Sequence, residues 1–253
     1  MSLSKKIASL SLLSSLLILT SGCTTIERNY PTSLSVANEQ TENKALSTKW
    51  GESLLSVTQS IEAHRLSQIP SQTTSIYYQR GLPTSSYSKL ARINESPVQI
   101  AILTESRNII PLYYSQQNNQ YLLYGKENER YVIFLHNTSS RKMYEAVITV
   151  DGLDVISGTV GSYQNRGYLL KAGENLFIEG FRKNDQQVAA FRFSLPDEGY
   201  VNYNAQGDKK NIGVIGVALF ESEEGPQEIM KKCSYLPNPF PKDNNYAPEP
   251  CIP

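Results

Sequence analysis

Apolar and polar residues alternate with a period of two through much of the second half of the chain. In the segment 144–150, every second residue from Tyr144 to Val150 is apolar, which is the spacing of a strand with one buried face. Residues 212–220 are apolar on both faces, as is typical of a central strand. Short β-branched and aromatic runs predict further strands over 75–79, 97–103, 109–114, 131–136, 168–170, 176–181 and 188–194.

The pattern before residue 67 is ambiguous. Leu46, Trp50 and Leu54 recur at a spacing of four, which places them on one face of a helix. The residues that follow suit one face of a strand equally well. The sequence therefore predicts a short helix near 43–55 and a strand near 56–66.

Many short strands separated by turn residues predict a mainly β fold, an antiparallel β-sandwich of the Ig-like or jelly-roll-like type with a short N-terminal helix. Asp151-Gly152 is a strong hairpin turn pair, and 168–170 and 176–181 are predicted to form a further hairpin. The pattern divides the mature chain into three parts. These are an N-terminal α+β or β extension over 46–125, a β-sandwich domain over 126–222 and a Pro-rich tail over 223–253. Whether the extension is a separate domain or adds strands to the main one stays open.

The N-terminus has the pattern of an export signal. Lys5 and Lys6 precede an apolar run over 7–19, which is too short and too rich in serine for a transmembrane helix. The following Thr-Ser-Gly-Cys, ending at Cys23, resembles a lipobox, the sequence that directs lipid transfer to a cysteine. The resemblance implies a lipoprotein signal peptide over 1–22; an ordinary secretory peptide is the alternative. The polar residues that follow lack periodicity, which predicts a flexible tether over 23–45.

Acyl chains on Cys23 would fix the mature protein to a membrane. Thr24 follows the cysteine where an aspartate would favour the inner membrane, so resemblance to lipoprotein sorting rules implies the outer membrane, facing the periplasm or the cell surface. Cys233 and Cys251 then form an even pair in an oxidising compartment, where a disulfide closing the tail would contribute about 3 kcal/mol. Two free thiols are the alternative.

The balance of charged residues and the spacing of the histidines exclude several functions. The chain has 24 basic and 24 acidic side chains, so it lacks the basic excess that nucleic-acid binding requires. His64 and His136, the two histidines, have no partner at a metal-ligating or catalytic spacing. We expect no cofactor and no metal. Asp151 and Asp154 are close enough in sequence to form a hydrolytic carboxylate pair, but aspartate is also common in tight turns.

Two segments have the composition of a contact surface. The polar loop 162–167 contains Tyr163 and Arg166, residue types enriched in binding hot spots. The loop between Cys233 and Cys251 places aromatic residues among prolines, which limit the entropy lost on binding; these aromatic residues are Tyr235, Phe240 and Tyr246. A tail that merely caps the domain is the alternative.

We therefore expect a non-enzymatic envelope module that binds an envelope protein or polymer. The alternatives are an envelope hydrolase acting on peptidoglycan or glycans, with Asp151 and Asp154 as its carboxylates, and a carbohydrate-binding module. Exposed coplanar tyrosines would favour the last of these.

Several longer segments resemble a family of uncharacterised exported proteobacterial proteins. The resemblance is carried by Trp50-Gly51-Glu52 and by the segments 150–158, 166–183, 188–193 and 211–221. It implies a shared domain, and it implies no activity or catalytic residue.

Overall fold

A computed structural model describes residues 44–81 and 86–224 of the chain. The described residues are mainly β, with short 3₁₀ turns and no α-helix. The strands are β1 (Ser47–Leu55), β2 (Ala63–Arg65), β3 (Gln72–Gln79), β4 (Ser88–Leu90), β5 (Val98–Thr104), β6 (Ile109–Ile110), β7 (Leu112–Ser115), β8 (Gln120–Tyr124), β9 (Tyr131–Asn137), β10 (Met143–Val150), β11 (Leu153–Asp154), β12 (Tyr168–Leu170), β13 (Asn175–Ile178), β14 (Gly180–Asn184), β15 (Gln187–Ser194) and β16 (Val214–Glu224).

The strands form three sheets. The large sheet has the order β11-β10-β16-β3-β8-β7-β4, with β12 added beside β10 and β2 beside β16. The second sheet is β1-β15-β14 and the third is β13-β9-β5-β6. Neighbouring strands are antiparallel in all three sheets, except that β3 and β8 run parallel.

Alternation within the strands builds one core between the sheets. Tyr144, Ala146, Ile148 and Val150 of β10 are buried together, as the period of two predicts. Strand β16 contributes buried residues from both faces, so the prediction of a central strand is confirmed; it pairs with β10 on one side and β3 on the other. The same core includes side chains from every sheet.

Aromatic stacking occupies the centre of this core. The ring of Tyr131 is stacked 5.2 Å from Phe191 and 4.4 Å from Phe193, and Tyr78 lies 5.5 Å from Phe193. Such pairs contribute about 0.5–1.5 kcal/mol each beyond the burial of their surface. The hydroxyls of Tyr78 and Tyr131 both bond to Thr48 Oγ1, at 2.8 and 2.7 Å, so these buried polar groups are satisfied.

The helix predicted near 43–55 is wrong, because Ser47–Leu55 is strand β1 and pairs with β15. The spacing of Leu46, Trp50 and Leu54 does not mark one buried face: Leu46 is buried, whereas Trp50 is 42% exposed. Gly51 allows the two strands to approach, since a Cβ there would lie 2.6 Å from the carbonyl oxygen of Ala190. Pairing with β15, rather than the local spacing of apolar residues, therefore makes this segment a strand.

Two further local expectations are corrected. Of the strand predicted near 56–66, only Ala63–Arg65 is a strand. The hairpin predicted from 168–170 and 176–181 does not form: β12 pairs with β10 in the large sheet, whereas β13 pairs with β9 in another. The Asp151-Gly152 turn between β10 and β11 is confirmed, with φ values of 52° and 77°, as a type I′ turn requires.

Strands from 46–125 and 126–222 alternate within the same sheets, as the pairs β1–β15 and β3–β16 show. The described residues thus belong to one compact unit, within 43–253, and the earlier strands extend the sheets of the later ones. Several predicted residues lie outside the described part of the chain: Cys23, Cys233, Cys251, Tyr235, Phe240 and Tyr246.

A charged cluster around Glu52 of β1 makes the stability of the fold depend on pH in a testable way. Glu52 accepts hydrogen bonds from Arg192 at 2.8 Å and lies 3.4 Å from Arg130. The hydrogen bond from Arg192 lowers the pKa of Glu52 from 4.5 to about 2. The stabilisation is therefore complete above about pH 4.5 and is lost as the pH falls towards 2.

We expect Glu52→Gln to lower the free energy of unfolding at pH 7 by at most about 1 kcal/mol, because solvent screens this partly exposed pair. The difference between wild type and Glu52→Gln should shrink between pH 5 and pH 2, measured by urea unfolding. A difference that grows over this range would contradict the assignment.

Candidate binding site

Arg65 of β2 holds the loop 161–167 against the large sheet. Its Nε and Nη2 donate to the two carboxylate oxygens of Glu145 on β10, at 2.7 and 2.9 Å. Its Nη1 also donates to the carbonyl oxygen of Tyr163, and its Nη2 to that of Asn165 at 2.6 Å. One guanidinium therefore joins two strands of the sheet to the backbone of the loop.

This ion pair is largely removed from water. The side chains of Arg65 and Glu145 are 11% and 12% exposed, and the guanidinium lies 3.8 Å from the centre of the Phe220 ring, within the range of a cation–π contact. Glu145 also accepts a hydrogen bond from the Gly167 N–H at 2.5 Å. Burial raises the pKa of Glu145, but the bonds from Arg65 and Gly167 and the charges of Arg65 and Arg166 outweigh it and lower the pKa overall.

The fixed loop presents the two side chains that the sequence predicts as contact residues. Tyr163 is 47% exposed; its ring packs edge-on at 6.3 Å from Phe220 and its hydroxyl lies 3.4 Å from Thr73 Oγ1. Arg166 is exposed, and its guanidinium has no hydrogen bond or ion pair with any residue that the structure describes. Both predicted contact residues are therefore exposed on this loop.

Two grooves flank the loop and meet at Gln164. The central groove, of about 470 Å³, lies over the outer face of the large sheet and is lined by Thr73, Val147, Thr149, Gly161, Ser162, Tyr163, Gln164, Gly216, Val217 and Ala218. The Arg166 groove, of about 720 Å³, is lined by Ser60, Ile61, Glu62, Ala63, His64, Arg65, Gln68, Glu145, Gln164, Asn165, Arg166, Gly167 and Leu169. Both volumes are within the range of ligand sites.

Asp151 is buried and serves the fold. Its Oδ1 accepts from the Tyr78 hydroxyl and the Gly213 N–H, at 2.5 and 2.8 Å. Its Oδ2 accepts from the Ser47 hydroxyl and the Thr48 N–H, at 2.7 and 2.8 Å. Burial raises the pKa of Asp151, and these four donors oppose the rise.

Asp154 is also buried, at 1% exposed. Its Oδ1 accepts from the backbone N–H groups of Ile156 and Ser157, at 3.1 and 2.7 Å, which is the usual role of aspartate in a turn. Neither Asp151 nor Asp154 lines the grooves beside the loop. The carboxylate pair that the hydrolase hypothesis requires is thus closed to substrate in this structure.

The histidines lie apart from each other in the fold. His64 is exposed on β2, 3.9 Å from Glu62, and His136 is half-buried on β9. Within residues 44–81 and 86–224, no three His, Cys, Asp or Glu side chains gather in a way that could hold a metal ion.

Arg65 and Glu145 are the functional residues that sequence reasoning missed. Glu145 occupies an outward position in the alternation of β10, where a charged residue is ordinary. Its partner lies 80 residues away in sequence, so no local spacing could reveal the pair.

Comparison with known proteins gives no match: no protein-family model, no curated protein and no solved structure is similar to this chain. The part of the chain that the structure describes contains no helix of the length and apolar character needed to cross a membrane.

Proposed function

We propose that this protein is a non-enzymatic module of the cell envelope that binds an envelope protein or polymer through the loop 161–167 and its two grooves. The observation that carries the proposal is the fixation of this loop by a largely buried guanidinium, which leaves Tyr163 and Arg166 free to make contacts. A loop whose backbone is already ordered loses little entropy on binding, so its side chains can contribute their full contact energy.

The proposal includes a lipid on Cys23 and a location at the outer membrane. Support comes from the sequence: an apolar run of signal-peptide length ends at a cysteine preceded by small residues, and a polar stretch follows. It also includes an antiparallel sandwich whose sheets pack on one core, a disulfide between Cys233 and Cys251, and membership of the exported family that the sequence resembles.

In-cell photocrosslinking tests the binding site. A photoreactive phenylalanine analogue at position 163 of the full-length protein should give a specific adduct in its native cells, because this side chain is exposed and lines the central groove. The matched control is position 177, since Phe177 is 41% exposed on the four-stranded sheet, close to the 47% exposure of Tyr163 on the loop 161–167.

The expected result is an adduct from position 163 that is absent from position 177. Equal adducts from both positions, or none from position 163 at equal expression and illumination, would rule out this loop as the binding site.

A further inference from the structure

The central groove extends across the large sheet into a third depression. Thr73 lines both the central groove and this third depression, and Gln164 lines both the central groove and the Arg166 groove. This third depression, the Tyr77 groove, has a volume of about 330 Å³ and is lined by Thr73, Thr74, Ser75, Tyr77, Glu95, Asn118, Asn119, Gln120 and Tyr121. The three depressions therefore form one elongated outer groove.

Two of the three depressions, the central groove and the Tyr77 groove, are lined mainly by neutral hydrogen-bonding groups. The central groove contains no ionisable acid or base among its lining residues other than the Tyr163 phenol. In the Tyr77 groove the charged residue is Glu95, which accepts a hydrogen bond from the Tyr121 hydroxyl. These two depressions suit a ligand with many uncharged hydroxyl and amide groups. The Arg166 groove, at one end, adds the ionisable side chains of Glu62, His64, Arg65, Glu145 and Arg166.

Two exposed tyrosines lie along the outer groove. Tyr163 reaches Thr73 through its hydroxyl, and Tyr77 lies four residues further along β3 on the same face, at 42% exposed. Four residues of a strand span about 13 Å. Tyrosine rings offer an apolar face beside a polar hydroxyl, and they can therefore pack against the C–H faces of sugar rings while the hydroxyl remains bonded.

The backbone of β16 beneath the central groove cannot accept a peptide strand. Over Ile215–Leu219, β16 is paired with β10 on one side and with β3 on the other. This strand has no free edge there, so strand addition, which is a common mode of peptide recognition, is closed at the central groove. Recognition over β16 must therefore use side chains.

We infer that the outer groove binds a glycan strand carrying acetamido groups. The inference rests on the proposed function and narrows its ligand to one class of polymer. The sugar rings pack on Tyr77 and Tyr163, while the amides of Gln164, Gln120 and Asn118 bond to the acetamido groups. Arg166, at one end, lies where an acidic substituent of the strand would be paired.

Titration of the full-length protein in detergent tests this inference. The probe is a β-1,4-linked hexamer of N-acetylglucosamine, and the comparison ligand is the glucose hexamer of the same linkage. We expect the acetamido hexamer to bind at least about tenfold more tightly, because the glucose hexamer would cover the amides of Gln164, Gln120 and Asn118 without offering them acetamido partners. Tyr77→Ala and Tyr163→Ala should each weaken binding by about tenfold.

Tyr203→Ala is the matched control, since Tyr203 is 77% exposed and lines none of the three depressions; it should leave the affinity unchanged. Equal affinity for the two hexamers, no binding of either, or binding unaffected by both tyrosine variants would overturn the inference. A protein adduct from position 163 together with no hexamer binding would overturn the glycan ligand while supporting the proposed function.

Discussion

Asp151→Ala should lower the free energy of unfolding by about 3–5 kcal/mol, because it leaves the buried N–H groups of Thr48 and Gly213 without an acceptor, at about 1–3 kcal/mol each. The carboxylate is 1% exposed, so water cannot replace it. The backbone adds to the loss: φ at position 151 is 52°, and alanine adopts this left-handed conformation at a cost of about 1 kcal/mol or more. This is the largest effect we expect from one substitution.

Asp151→Asn separates the contributions of charge and shape. Asparagine tolerates the left-handed conformation and keeps one acceptor oxygen, but its NH₂ group would face one of the two N–H donors. We expect an intermediate loss of about 1–3 kcal/mol. The matched control is Asp185→Ala in the β14–β15 turn, an exposed aspartate, which should change stability by no more than about 0.5 kcal/mol.

Urea unfolding measures these effects, with the fluorescence of Trp50 as the signal, because Trp50 is the chain's one tryptophan and packs against Phe181 and Tyr200. If Asp151→Ala and Asp185→Ala unfolded at the same urea concentration, the four hydrogen bonds to Asp151 would contribute nothing to stability.

Asp151 also explains which parts of the fold could be predicted. Its turn is a local feature, and the Asp-Gly pair predicts it directly. Its bond to the Thr48 N–H joins residues 103 apart in sequence and helps to hold β1 as a strand. That bond has no local signature, so the spacing of Leu46, Trp50 and Leu54 predicted a helix instead.

Sheet order and the binding site show the same difference between local features, which the sequence predicts, and long-range contacts, which it does not. Alternation predicted strand β10 correctly, since a period of two depends only on which face is buried. A run that is apolar on both faces predicted β16 as a central strand. The parallel pairing of β3 with β8 brings Ile76 beside Tyr121, which is distant in sequence, and no local pattern indicates it. The composition of the loop indicated Tyr163 and Arg166 as contact residues. The Arg65–Glu145 pair that fixes the loop is non-local and could not be predicted.

Arg65→Ala should have the second largest effect, a loss of about 2–4 kcal/mol in the free energy of unfolding. Removing one partner of a buried ion pair leaves the other charge without compensation, and Glu145 is only 12% exposed in the intact pair. The estimate stays below that for a fully buried pair because some solvent reaches both groups. The carbonyl oxygens of Tyr163 and Asn165 also lose their donor.

A double variant separates the fold from the site. In Arg65→Met/Glu145→Leu no charge remains uncompensated, and apolar replacement of a buried pair is often neutral. We expect its stability to return to within about 1 kcal/mol of wild type. The loop should nevertheless be released, since Gly167 N–H loses its acceptor; its amide hydrogen exchange should rise, and the crosslink from position 163 should be lost.

The matched control for this experiment is Arg107→Met. Arg107 pairs with Glu179 at 2.8 Å and lies 4.3 Å from the centre of the Phe177 ring, so it has the same kinds of contact as Arg65. It is 43% exposed and is not among the residues that line the grooves beside the loop. The crosslink from position 163 should therefore survive this change. If the double variant were stable and still gave that crosslink, fixation of the loop by Arg65 would not be needed for binding.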